Sequence, residues 1–143
     1  MPTQPLDENV GVSDTVSITV RQLSDMLIRI NEIELAILIG SRATGTACPD
    51  SDWDIAIQWK RGMDFMQQLA ATEQLRRDVA KMLGVSEQEV DLIDLPTARL
   101  AMQAVVAEEG ITLKGGDSLA WHHFLQRTWR NLEEQYWEKT YAA

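Results

Sequence analysis

The sequence predicts an α/β (α+β) domain, a small mixed β-sheet flanked by helices. Three observations predict it. Residues 35–39 form an apolar run of strand length. Residues 52–59 alternate, with Trp53, Ile55, Ile57 and Trp59 on one side and Asp52 and Asp54 on the other. Longer stretches with apolar residues at helical spacing separate these strands from a third, VDLIDL at residues 90–95. The order is helix, strand, strand, helix, strand, helix, short strand, helix. A hairpin-like strand pair sets it apart from the strict alternation of a doubly wound sheet.

Each element follows from local chemistry. Residues 1–16 are polar, with two prolines and scattered acids, and read as a flexible leader. Thr19 opens a helix, with Gln22 placed for a capping box, and Val20, Leu23, Leu27 and Ile30 supply its apolar positions to about Asn31. After the 35–39 strand come a Gly-Ser turn and a loop through Pro49, then the 52–59 strand. Residues 63–83 read as a helix with Phe65, Met66, Leu69, Leu75, Val79 and Met82 as apolar positions, stopped by Gly84. Pro96 favours a helix start after the third strand; Leu100, Ala101, Ala104 and Val105 give that helix a face, and Gly110 ends it. Residues 111–113 are short and extended. Asp117 or Ser118 caps a last helix to about Lys139, with Trp121, Leu125, Trp129, Leu132 and Tyr136 along one side.

With 143 residues the chain suffices for one domain with a working core. No apolar run approaches a membrane span and no leader resembles a signal peptide, so no membrane association and a cytoplasmic location are expected. One cysteine, Cys48, excludes an internal disulfide and a cysteine-rich zinc site. A net charge of −9 opposes direct binding to nucleic acid, whose phosphates it repels.

The chemistry concentrates in GSRATGTACPDSDWDIAI, residues 40–57. Asp52 and Asp54 share one strand face, where two ionised carboxylates repel and folding alone gains nothing from them. Magnesium removes that repulsion, because hard cations take carboxylate and phosphate oxygens. Asp91 alternates against Val90 and Leu92 and is expected to be buried, a costly position for an acid unless it is paired or bound to metal. If its strand pairs beside the Asp52 strand, three carboxylates converge, as a two-metal site requires. Gly40 lets backbone approach a phosphate, Ser41 offers an N–H and a hydroxyl, and Arg42 is placed to pair with a phosphate oxygen.

Gly40-Ser41, ten intervening residues, Asp52-x-Asp54 and a later strand Asp91 together resemble the signature of the DNA polymerase β-type nucleotidyltransferase superfamily. The resemblance is greatest to its minimal nucleotidyltransferase (MNT) family, small proteins that often act as antitoxins to HEPN-domain toxins. Ser51 and Gly45 match the pattern too, and the resemblance spans about residues 19–114. It implies a minimal nucleotidyltransferase domain at 17–114, with the 115–143 helix packing on that domain or on a partner. It also implies ATP as substrate, Mg2+ held by Asp52, Asp54 and Asp91, triphosphate contact at Gly40 and Ser41, and deprotonation of the acceptor assisted by Asp91 or by metal binding of the acceptor oxygen. The implied reaction moves AMP from ATP to a tyrosine hydroxyl of a cognate HEPN ribonuclease toxin and silences it. Two alternatives stay open: a catalytically inactive antitoxin that neutralises by binding only, and an enzyme acting on a small hydroxylated molecule.

Other residues carry plainer readings. His122 and His123, adjacent on a helix, face different directions and belong on its surface. Trp53 points away from the carboxylates into the core. Trp121 and Trp129 cover the sheet or meet a partner.

Overall fold

A computed structural model describes residues 12–141 of the chain, with side-chain burial from residue 18 onward. The elements run α1 (Val12–Ile28), β1 (Ile33–Ile39), α2 (Ser41–Thr44), β2 (Trp53–Trp59), α3 (Phe65–Leu83), β3 (Val90–Asp94), α4 (Leu100–Glu109), β4 (Ile111–Lys114) and α5 (Leu119–Tyr141). The strands form a four-stranded mixed sheet in the order β3-β2-β1-β4. β1 pairs antiparallel with β2 and β4, and β2 pairs parallel with β3. The α+β architecture read from the sequence is the one observed.

Both faces of the sheet are covered. On one, Ala36 and Leu38 of β1 and Trp53, Ile55 and Ile57 of β2 pack with Leu23 and Leu27 of α1 and Leu75 and Val79 of α3. On the other, Leu35, Ile37, Ile39 and Ala56 pack with Val106 of α4 and Phe124 of α5. The sequence reading placed the core on the Trp53 face alone. The central strand β1 explains the difference: it is apolar on both faces, so it is stable only with a layer on each side. The second layer covers Ala56 but leaves the start of β2 open, and the acids sit there.

Several boundaries move, each for a local reason. Residues 12–16, assigned to the leader, are helical, and 1–11 lie outside the described residues. Thr19 is therefore interior to α1 and does not cap it. The helix ends at Ile28, where i→i+3 bonds from Arg29 to Met26 and from Ile30 to Leu27 tighten the last turn. Lys114 Nζ donates to the Ile30 carbonyl, and Ser24 Oγ donates to the Leu113 carbonyl, tying α1 to β4. α3 starts at Phe65 because Asp64 caps it, forming a reciprocal capping box with Gln67. Its first turns carry Phe65, Met66 and Leu69 on the exposed side; only Leu75, Val79 and Ala80 are buried.

Pro96 lies in a single 3-10 turn rather than opening α4, which starts at Leu100 and buries Val106 rather than Val105. Ser118, not Asp117, caps α5, its hydroxyl accepting from the Trp121 N–H at 3.2 Å. α5 buries Phe124 and Thr128, and Trp121 stacks on Phe124 with centroids 5.2 Å apart. Trp129 and Tyr136, on the apolar side read for this helix, are exposed, so Trp129 does not serve to cover the sheet. His122 and His123 are exposed, as read. Among the described residues no helix is long and apolar enough to cross a membrane.

Candidate active site

β1 leaves the sheet through Gly40, whose φ of 76° and ψ of −162° lie in a region that only glycine occupies without strain. Ser41 then opens α2, with the Ala43 and Thr44 N–H groups donating to the Gly40 carbonyl. The chain turns back at Gly45, also left-handed, and a loop of small residues leads into β2. In the antiparallel register Ile39 faces Asp54, which brings Gly40 against the Asp54 side chain. A Cβ added at Gly40 would overlap Asp54 Oδ2. Glycine is required here twice over, by its backbone angles and by the carboxylate beside it.

The parallel pairing of β2 with β3 then sets Asp54 directly beside Asp91. In-register neighbours in a sheet point to the same face, so the two carboxylates meet on the α4/α5 side. Asp52 lies two residues ahead of Asp54, just before the strand begins. The electrostatics report the same grouping: the Asp54 carboxyl is raised above the usual carboxylate range, first by burial and then by the negative charges of Asp91 and Asp52. Asp91 itself is exposed, contrary to the expectation of burial, because β3 is an edge strand that packs on α3 through Val90, while the opposite face, where Asp91 lies, stays open. Asp52 is also exposed and Asp54 is half-buried.

Among the described residues no three acidic, histidine or cysteine side chains are drawn into a ready-made cage for a cation. What the fold provides is Asp54 in register with Asp91 and with Asp52 close by, the Asp54 carboxyl raised first by burial and then by the other two. That donor set fits Mg2+, a hard cation that keeps several waters and uses few protein carboxylates. Ser41 is half-buried beside it, and its hydroxyl has no partner among the described residues.

Arg42 stands elsewhere. The sequence reading gave it a phosphate oxygen. Its Nη2 donates instead to the Ser51 carbonyl at 2.8 Å and to the Pro49 carbonyl at 3.2 Å. Its guanidinium carbon lies 4.5 Å from the centroid of the Trp53 ring. Trp53 packs into the α1/α3 core, on the face opposite the carboxylates, and draws the arginine toward itself. The aromatic residue between the two acids was the signal for this arrangement. Ser51 adds a brace, its Oγ accepting from the Cys48 N–H at 2.8 Å.

A mixed sheet that sets a glycine-serine turn against two in-register aspartates, with a third beside them, defines a nucleotidyl-transferring class of fold. The chain belongs to the polymerase beta nucleotidyltransferase family, which residues 21–118 match. Solved structures share the fold. A chain of a toxin–antitoxin crystal structure with AMP-PNP is 23% identical, with a TM-score of 0.60, over 90% of this chain and 94% of that one. A chain of the MntA-HepT toxin–antitoxin structure is 22% identical, with a TM-score of 0.60, over 87% of this chain and 92% of that one. A chain from the complex of a tri-AMPylated Shewanella oneidensis HEPN toxin with MNT antitoxin has the same 22% identity and 0.60 TM-score, again over 87% and 92%. No curated protein sequence matches.

Proposed function

We propose that this chain is a minimal nucleotidyltransferase of the MNT type, an antitoxin that transfers AMP from ATP to a tyrosine hydroxyl of a cognate HEPN ribonuclease toxin in the cytoplasm. The observation that carries the reading is the register of Asp54 with Asp91, closed on the third side by Gly40. The fold likeness to chains of toxin–antitoxin structures, one with an ATP analogue and one with an AMPylated toxin, supports the choice of nucleotide and partner.

Asp52, Asp54 and Asp91 would hold Mg2+, which when bound supplies charge to offset the carboxylates and the triphosphate. The missing side chain at Gly40 leaves room for the Asp54 carboxylate, and the Gly40-Ser41 turn would meet the triphosphate, with Ser41 offering its N–H and hydroxyl. The acceptor oxygen forms a bond to the α-phosphorus while the bond from that phosphorus to the bridging oxygen breaks, and pyrophosphate leaves. The acceptor proton passes to Asp91, which is exposed and free to exchange it with solvent. Most of the rate comes from holding the reacting groups in place and neutralising charge.

The test is an intact-mass measurement. The chain, the product of its neighbouring gene, ATP and Mg2+ are mixed, and the partner should gain AMP-sized increments that Asp54→Asn abolishes. A partner that binds and is silenced without any gain in mass, with Asp54→Asn silencing it equally well, would show that neutralisation is by contact alone.

A further inference from the structure

We infer that Arg42 is a positioning residue that aims Asp52. The inference rests on the reading of Asp52 as part of the cation-binding face. Asp52 needs such help because it precedes β2 and has no partner in the register with β1, which reaches Asp54, or in that with β3, which begins at Trp53. Its carboxylate has no hydrogen bond or ion pair among the described residues. Its two neighbours are both held, and by the same side chain. Arg42 Nη2 takes the Ser51 carbonyl, and the Arg42 guanidinium lies on the Trp53 ring. A further bond to the Pro49 carbonyl and the Cys48–Ser51 contacts fasten the loop behind it.

The arginine bridges two parts of the site. It sits one residue after Ser41 on the four-residue helix α2, and so links the glycine-serine turn to the acid loop across the face opposite the carboxylates. Arg42 Nε is buried with no acceptor among the described residues, so these three contacts, not the satisfaction of every donor, set the position of the group. A guanidinium can sit over an indole ring while sending a donor into two carbonyls, as Arg42 does. A lysine ammonium is a compact point charge and cannot do both. A phosphate ligand would instead have its donors pointed at the opposite face.

The two roles separate experimentally. Arg42→Met keeps the apolar stem and removes the donors; Arg42→Lys keeps the charge. Binding of Mn2+ to the protein alone, followed by electron paramagnetic resonance, reads the cation site. Hydrogen exchange of the amides at residues 46–53 reads the loop. Both variants should bind Mn2+ about 10–100-fold more weakly, the range for groups that orient a ligand from behind, and both should lose protection in the loop. Unchanged Mn2+ affinity in Arg42→Met, or full recovery in Arg42→Lys, overturns the inference. Asp54→Asn is the control for the site itself. If that variant also binds Mn2+ like the parent, the cation reading fails, and the clamp then stands or falls on loop exchange in Arg42→Lys, which remains foldable because it preserves stem and charge.

Discussion

Gly40 and Asp54 occupy adjoining space so closely that glycine is the only residue the position admits: a Cβ there would overlap Asp54 Oδ2, and the backbone sits at φ 76°. The contact joins the end of β1 to the start of β2 and makes the turn part of the carboxylate face. Gly40→Ala should therefore cost about 1–3 kcal/mol from the backbone angles, read as a lowered Tm. It should also cut AMP transfer by about 100-fold, because a displacement of about 1 Å in a positioned group has that effect. Normal transfer by a folded Gly40→Ala protein would show that the Asp54 carboxylate does not need its present place.

Asp54→Asn should separate stability from activity. The Asp54 carboxyl is raised by burial and by its two acidic neighbours, so the folded state resists its ionisation. For a group with a raised folded pKa, the stabilising contribution is present below the unfolded value and is lost as pH rises through the folded one. At pH 7 the ionised parent carries that loss and the asparagine variant does not. Tm of Asp54→Asn should equal or exceed that of the parent at pH 7. The gap should close as pH falls below the ordinary aspartate range. A Tm several degrees below the parent at pH 7 contradicts this sign.

Cation removal gives the complementary result. If Asp52, Asp54 and Asp91 hold Mg2+, then Mg2+ with ATP should raise the Tm of the parent, with stabilisation of about 2.7 kcal/mol when ligand is at 100 times its dissociation constant. EDTA should reverse the shift and stop transfer, and Asp91→Asn should blunt both. Equal shifts in parent and Asp91→Asn would remove Asp91 from the site.

The last helix divides into a packed half and a projecting half. Phe124 is 2% exposed and Thr128 1% exposed, whereas Trp137 is 50% and Tyr141 67% exposed. Phe124→Ala should cost about 3–5 kcal/mol. Removing residues 133–143 should change stability by about 1 kcal/mol or less, in line with surface positions. Urea unfolding of the two variants distinguishes them, and a large loss on truncation would mean that the projecting half packs on the domain after all.

Much of this molecule is written locally in its sequence. The apolar run of β1, the alternation in β2, the Gly84 stop and the glycine-serine, Asp-x-Asp spacing are near-neighbour patterns, and each appears in the structure as a matching element. What depends on distant parts of the chain was decided only by folding. The parallel β2–β3 pairing, which puts Asp91 beside Asp54, joins segments separated by the whole of α3, and periodicity names no strand's neighbour. Asp91 alternates like a buried residue yet is exposed, because exposure depends on which helix covers the strand edge. Arg42 beside a glycine-serine turn invites a phosphate, yet the Trp53 ring and two loop carbonyls claim it first. Side-chain periodicity sets which way a residue faces; the tertiary packing of α4, α5 and the β3 edge sets what it faces, and for a cluster of like charges that second fact makes the site.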